Sequence, residues 1–335
     1  MTLTIGFPHK PPKKGGPGVF QKRFESAIKS KGWKVVYPED NILPDAVLVV
    51  GGTKKLGWLL KLKFKKVPIV YRLDGMSWLH REPGNSFNKR FTAEVGNALM
   101  NIIRTFFASH IVYQSVFVEK WWKKSGWRSK QDYSIIRNGV DTELFQPRSE
   151  EKPELCLLCI EGNIDYTPFA FDLLNKLQEK LIGDTKLKSL VIYGSFDNPE
   201  NKKKLSPNID YRGSISNDKI FEVYKNSIFL SLDINAACPN TVIESLASGI
   251  PVIGFDTGAL KELVEDAGSI VDYGGDPWKI ETPDMDGLVD GAIQVKKNWE
   301  HYSEKARSRA IENFNIDDVV NKYLAIINKE VKQKS

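Results

Sequence analysis

Residues 232–264 read LDINAACPNTVIESLASGIPVIGFDTGALKELV. Ile228–Leu232, just upstream, is an apolar strand. Asn240 is a good helix N-cap residue with Pro239 directly before it. Val242, Ile243, Leu246 and Ala247 supply a buried helical face. Gly249 stops the helix and Pro251 opens the next strand, Pro251–Phe255. A helix that opens directly after a strand presents unpaired N–H groups and a positive dipole end. The amides of Asn240, Thr241 and Val242 are therefore candidates to cradle a diphosphate. Glu244 falls one turn in, off the apolar stripe. It is either a carboxylate placed to accept both hydroxyls of a ribose or a solvated glutamate favoured by the dipole.

The same alternation extends in both directions. Upstream lie Leu155–Ile160, a helix around Phe169–Leu181, Leu190–Tyr193, Ile209–Arg212 and a helix near Lys219–Tyr224. The first half gives strands at Leu3–Phe7, Trp33–Tyr37, Ala46–Val50, Val67–Leu73, Ile111–Tyr113 and Tyr133–Ile136. A turn-rich loop at 8–18 leads to a helix carrying Phe20, Phe24, Ala27 and Ile28, which Gly32 ends. Phe91, Val95, Ala98, Leu99, Ile102, Ile103 and Phe106 predict a strongly amphipathic helix. Strands alternating with helices imply parallel sheets covered on both faces. Three helical stretches finish the chain, the last from Asp317 to about Val331. The polar segment Phe145–Pro153 is the expected linker, and 335 residues are enough for two cores.

The net charge of +6 conceals a split. Residues 1–150 hold 26 Lys and Arg against 12 Asp and Glu, whereas residues 151–335 hold 22 against 30. Such asymmetry assigns the halves to different partners. The three cysteines, Cys156, Cys159 and Cys238, do not make a disulfide framework and fit a reducing compartment. Cys156 and Cys159 are three apart on a strand, so they point to opposite faces and cannot jointly grip a metal. The start of the chain has no long apolar run and no stretch reaches about 18 apolar residues. The expected location is the cytoplasm.

At this point a resemblance emerges. PNTVIESLASGIPVIGFDTGALKELV resembles the donor-site signature of retaining GT-B glycosyltransferases, in particular their large family four. Other pieces follow in order. Gly15-Gly16-Pro17-Gly18 resembles the first glycine loop. Arg137-Asn138-Gly139-Val140-Asp141 to Pro147 resembles the segment closing the first domain. Tyr211-Arg212-Gly213-Ser214 with Ile220–Tyr224 resembles the base-binding turn and helix. Asn313-Phe314 onward resembles the final helix. The resemblance implies two Rossmann-like doubly wound domains facing a central cleft. Residues 1–150 would form the acceptor-side domain, joined by a C-terminal helix at 316–335 that crosses back, and 151–315 would form the donor domain. It implies a nucleotide-sugar co-substrate, UDP- or GDP-linked, no cofactor, no metal and retention of configuration. The acceptor would be a glycan, a lipid-linked molecule or a small molecule. Donor contacts would fall on Gly162, Asn163, Arg212, Gly213, Ser214, Pro239, Asn240, Thr241, Val242 and Glu244. Gly15, Gly16 and Gly18 would line the cleft, and Asp74 would touch the donor sugar.

Three departures stand out. The family's first acidic residue would fall at Ala236, with Asp233, Asn235 or Cys238 as substitutes. The loop 161–167, EGNIDYT, lacks the family's diphosphate-binding Arg and Lys, which leaves backbone amides, Arg212 or a basic residue of the first domain. Asp74-Gly75 stands where a histidine is usual, and Asp-Gly is also an ordinary turn. Ala236 and the missing loop cations leave room for a nucleotide-sugar-binding protein impaired in transfer. His80 is near the Asp74 loop, whereas His110 reads as structural. Residues 54–66, KKLGWLLKLKFKK, and Trp121-Trp122-Lys123-Lys124 suit an anionic membrane surface. Alternatively, those lysines coat an element whose apolar side faces the core. No nucleic-acid recognition module, P-loop or dinucleotide fingerprint is present.

Overall fold

The computed structural model describes residues 3–12, 15–81, 86–126, 129–148, 155–167, 169–182 and 187–333. The chain forms two compact units, Met1–Gly139 with Ile316–Ser335, and Val140–Asn315. The change of unit falls at Gly139/Val140, inside the Asn-Gly-Val-Asp segment, rather than at 150. Drawn on these units the charge split widens. Unit 1 has 29 Lys and Arg against 12 Asp and Glu, and unit 2 has 19 against 30.

Unit 1 alternates β1 (Thr4–Gly6), α1 (Gly16–Ser30), β2 (Lys34–Val36), β3 (Ala46–Val50), α2 (Leu56–Phe64), β4 (Ile69–Leu73), α3 (Phe87–Ile102), β5 (His110–Tyr113), α4 (Val116–Lys124) and β6 (Asp132–Ile135). Its sheet order is β2-β1-β3-β4-β5-β6, parallel throughout. Every residue of β3 and β4 is buried, as a central parallel strand covered by helices requires.

Unit 2 contains β7 (Cys156–Asn163), α5 (Ala170–Leu177), β8 (Leu190–Ser195), β9 (Asp210–Tyr211), β10 (Ser227–Leu230), α6 (Asn240–Ala247), β11 (Val252–Phe255), α7 (Leu260–Val264), β12 (Gly268–Val271), α8 (Met285–Lys297) and α9 (Trp299–Phe314). Its order is β12-β11-β10-β7-β8-β9, again parallel. In each sheet, neighbours reached in opposite directions leave a switch point, between β1 and β3 in unit 1 and between β7 and β10 in unit 2. The chain enters unit 2 at Val140, paired with Asn315, where it leaves. The last helix, α10 (Ile316–Lys332), then packs Tyr323 against Phe20 and Phe24 of α1 at 5.6 and 5.3 Å.

The structure corrects several local expectations. The glycine stretch is not all loop: Gly15 is the N-cap at φ +89°, and Gly16 and Gly18 lie in the first turn of α1. The expected helix near Lys219–Tyr224 is a single 3-10 turn, Ile220–Glu222. Phe145, expected in a solvated linker, is buried against Tyr224 at 5.9 Å; residues 149–153 of that linker lie outside the described residues. Trp122 is fully buried, donating from Nε1 to the Asp74 carbonyl at 2.8 Å, so it is core and not surface. Cys159 belongs to the core of unit 2.

His110 opens β5 from within the core. Its Nε2 lies 3.0 Å from Ser134 Oγ and its Nδ1 3.8 Å from the Glu330 carboxylate of α10. Burial lowers its pKa, against the pull of Glu330. The unfolded chain therefore takes up this proton first, and stability falls as pH drops below about 6.5 toward the folded-state value. In His110→Gln, the slope of the urea midpoint against pH between about 7 and 5 is expected to flatten. An unchanged slope would contradict the assignment.

Candidate functional site

Ligands of doubly wound sheets bind beyond the strand carboxyl ends, at the switch point. In unit 2 that point is flanked by the end of β7, carrying Glu161, Gly162 and Asn163, and by the segment after β10, Asp233–Pro239. The segment runs directly into α6. Pro239, not Asn240, is its N-cap residue, with extended backbone at φ −65°, ψ 125°. The proline ring fixes that φ. Asn240 becomes the first helical residue, and Pro239 makes no side-chain cap hydrogen bond. Pro239, Asn240 and Thr241 are half-buried there and Val242 is core.

Glu244 is only 3% exposed, which contradicts its reading as a solvated glutamate. The Tyr224 hydroxyl holds it, 3.1 Å from Oε2 and 3.2 Å from the Thr241 carbonyl. Tyr224 is itself fully buried, wedged at 6.1 Å from Phe229 and beside Phe145. A buried carboxylate needs hydrogen-bonding partners. An aromatic hydroxyl set by core packing gives the carboxylate one orientation. Tyr224 precedes Glu244 by twenty residues, and helical spacing carries no signal for that pairing.

A pair of carboxyl groups stands at the switch point itself. Leu232 N donates to Glu161 Oε1 at 3.3 Å, tying the end of β7 to the segment after β10. Burial pushes the Glu161 carboxyl well up, and the adjacent Asp233 charge pushes it further. Burial raises Asp233 as well. This pair therefore holds protons more tightly than solvated carboxylates do. Asp233 is one of the substitutes offered for the missing acid, but its pairing with Glu161 is not legible in sequence, because seventy-two residues separate them. Register between β7 and β8 shifts at Ile160/Asn163, and Ser195 Oγ donates to the Gly162 carbonyl at 2.6 Å. A Cβ on Gly162 would meet nothing within 4 Å. The Asn163 side chain accepts from Asp165 N at 2.9 Å and donates to Asp197.

Ala236, where the resemblance leads one to expect an acid, has its backbone held against a close turn. Gly258 sits at φ +60° and a Cβ there would lie 2.5 Å from Ala236 N. Ala259 N donates to the Ala236 carbonyl at 2.9 Å. Asn235 beside it has φ +53° and a buried Nδ2 with no partner among the described residues. Cys238 is buried. Arg212 directs Nε and Nη2 onto Asp210 Oδ2 at 2.9 and 2.7 Å, with Nη1 3.2 Å from the Tyr193 hydroxyl. Its charge is thus answered within the unit. Gly213 follows at φ +72°, next to exposed Ser214.

In unit 1 the carboxyl end of the sheet brings Asp74 to the glycine segment. A Cβ on Gly51 would lie 2.5 Å from Asp74 Oδ2 and 3.8 Å from Pro17 Cγ. Asp74 Oδ1 accepts from Arg72 Nη1 at 2.6 Å and from Gln114. Arg72 is fully buried, donating also to Gln114 and Asn138 at 2.7 and 2.6 Å and stacking 4.0 Å over Phe20. The Asp74 carboxylate is therefore first of all the counter-charge of a buried guanidinium. His80 is buried with Nε2 2.9 Å from Glu94 Oε1. Among the described residues, no three His, Cys, Asp or Glu side chains gather as a metal-binding group.

Two doubly wound parallel sheets, the second with a helix opening at its switch point over a buried carboxylate, define the fold class as GT-B. Residues 161–297 match the family model described as glycosyl transferases group 1, in keeping with the motif resemblance. An uncharacterized glycosyltransferase of Haemophilus influenzae is 26% identical over 215 residues, 61% of this chain. The match spans 58% of that relative's length. Among solved structures, sucrose-phosphate synthase of Thermosynechococcus elongatus aligns with a TM-score of 0.74 at 13% identity, over 99% of this chain and 100% of that one. HepE of Anabaena, solved with UDP-glucose, aligns at 0.68 and 12% identity, over 98% and 100%. WaaG, a glycosyltransferase of lipopolysaccharide biosynthesis, aligns at 0.68 and 13%, over 97% and 99%.

Proposed function

We propose that this protein transfers a sugar from a nucleoside-diphosphate sugar, UDP- or GDP-linked, to an acceptor hydroxyl. The observation that carries the reading is Glu244, buried and oriented by Tyr224 one turn into the helix that opens at the switch point. A carboxylate so placed accepts both ribose hydroxyls while the α6 amides meet the diphosphate. The HepE structure with UDP-glucose supports a donor of this kind. Transfer proceeds with retention and without a metal. The bond from anomeric carbon to diphosphate oxygen breaks, its electron pair leaving with the diphosphate. The acceptor oxygen bonds the same face, and its proton passes to a diphosphate oxygen. The protein's part is positioning and charge stabilisation by the Gly162–Asn163 turn, the α6 amides and the Gly213–Ser214 turn. The acceptor, a glycan, a lipid-linked molecule or a small molecule, falls to unit 1.

Release of nucleoside diphosphate from UDP- and GDP-sugars, with the product's anomeric coupling read by NMR, tests the reaction. An inverted product overturns retention, and loss of turnover in EDTA overturns metal independence. A second reading, donor binding without transfer, is favoured by Ala236 and by Arg212 being committed to Asp210. Tight donor binding with no turnover of any acceptor would establish it.

A further inference from the structure

The N-terminal half of α3 exposes a seam that its sequence pattern would bury, whereas Leu99 and Ile102 are half-buried and Ile103 is core. The seam carries Phe87, Phe91 and Val95 at i, i+4 and i+8, spacing that ordinarily marks a buried face. Yet Phe87 is 79% exposed and Phe91 62%, while the buried residues of the helix are Asn97 and Asn101. The two phenylalanine rings stack at 6.3 Å. Further on, in the helical turn Ile103–Phe107, Ile103 is buried and Phe106 is exposed. That turn meets α2: Lys63 Nζ donates to the Phe106 carbonyl and lies 5.9 Å from the Phe107 ring centroid. Beside Lys63, Phe64 is 80% exposed, and Leu60 is exposed one turn back. Exposed aromatic and aliphatic side chains, stacked on α3 and recurring on α2, mark an interaction site.

Charge selects the occupant. The exposed lysines of 54–66 and the exposed Lys89 and Arg90 flank the aromatics, and residues 46–73 contain no acidic side chain. The one acid of α3, Glu94, is paired with Arg81 at 2.8 Å and lies 2.9 Å from His80 Nε2. No helix among the described residues is long and apolar enough to cross a membrane. We propose that Phe87, Phe91 and Val95 of the α3 seam and Phe106, with Leu60 and Phe64 of α2, form a face that inserts into an anionic bilayer, its lysines held at the phosphate level. Aromatic and aliphatic side chains enter the headgroup–acyl boundary while basic residues meet the anionic surface. This inference stands independently of the donor site in unit 2.

The test is co-sedimentation of the full chain with vesicles of phosphatidylcholine alone, or with about one-third phosphatidylglycerol. Wild type is expected to bind the anionic vesicles and not the neutral ones. Phe87→Ser/Phe91→Ser should weaken partitioning by roughly tenfold or more. Lys61→Ser/Lys65→Ser should weaken it with a reduced salt dependence. Both pairs are exposed, so melting temperatures close to wild type confirm that the variants fold. Binding indifferent to lipid charge, or unaffected by loss of the two phenylalanines, overturns the proposal. So does a wild-type dimer that the phenylalanine variant converts to monomer, since the seam would then be covered by a second copy.

Discussion

Glu244→Ala is expected to weaken donor binding by about 100-fold while leaving the fold intact. Two charge-assisted hydrogen bonds to a ribose contribute on the order of 3 kcal/mol, and both are lost when the carboxylate is removed. The fold survives because the buried Tyr224 hydroxyl keeps the Thr241 carbonyl at 3.2 Å. Glu244→Gln keeps the shape but replaces one accepting oxygen by a donor, so it should fall between the two. Tyr224→Phe removes the group that orients the carboxylate without touching the ligand. Its expected cost is smaller, about three- to tenfold in affinity. Titration calorimetry with the preferred donor reads all three, and equal affinities in wild type and Glu244→Ala would refute the ribose role.

Arg72→Met is expected to be the most destabilising single change in unit 1. The guanidinium is buried and answers three acceptors, Asp74, Gln114 and Asn138, while its plane covers Phe20. Removing one partner of a buried pair leaves the other uncompensated, at about 3–5 kcal/mol. For a unit of this size that lowers Tm by about 10 °C. Asp74→Asn keeps an accepting oxygen for Arg72 and should cost less. The pair separates two roles for Asp74. If its carboxylate serves only Arg72, Asp74→Asn loses turnover no faster than it loses Tm. If it also touches donor sugar, turnover falls well beyond the stability change. A melting temperature unchanged in Arg72→Met would contradict the network.

The sheets were legible because parallel strands buried on both faces are short apolar runs bounded by turn residues, as at Ala46–Val50 and Val252–Phe255. Glu244 was legible as a position but not as a buried one. Its burial depends on Tyr224, which is brought to it by the core and not by helical spacing. The Glu161–Asp233 pair was invisible for the same reason, since adjacency of β7 and β10 is a property of sheet order. The α3 seam misled in the opposite sense. Periodicity reports which residues share a face, not which face the unit covers, and here the asparagines took the inner side. The glycine segment was misread because Pro17 and the small residues beside it suit a helix start as well as a turn.

The central claim is that the switch point of unit 2 binds a nucleotide sugar through α6 and Glu244. Amide hydrogen exchange with and without saturating UDP- or GDP-sugar tests it most directly. Slowed exchange is expected over residues 240–244 and 162–163, and is expected to be absent in Glu244→Ala. Failure of either donor to slow exchange anywhere, or slowing confined to unit 1, would contradict it.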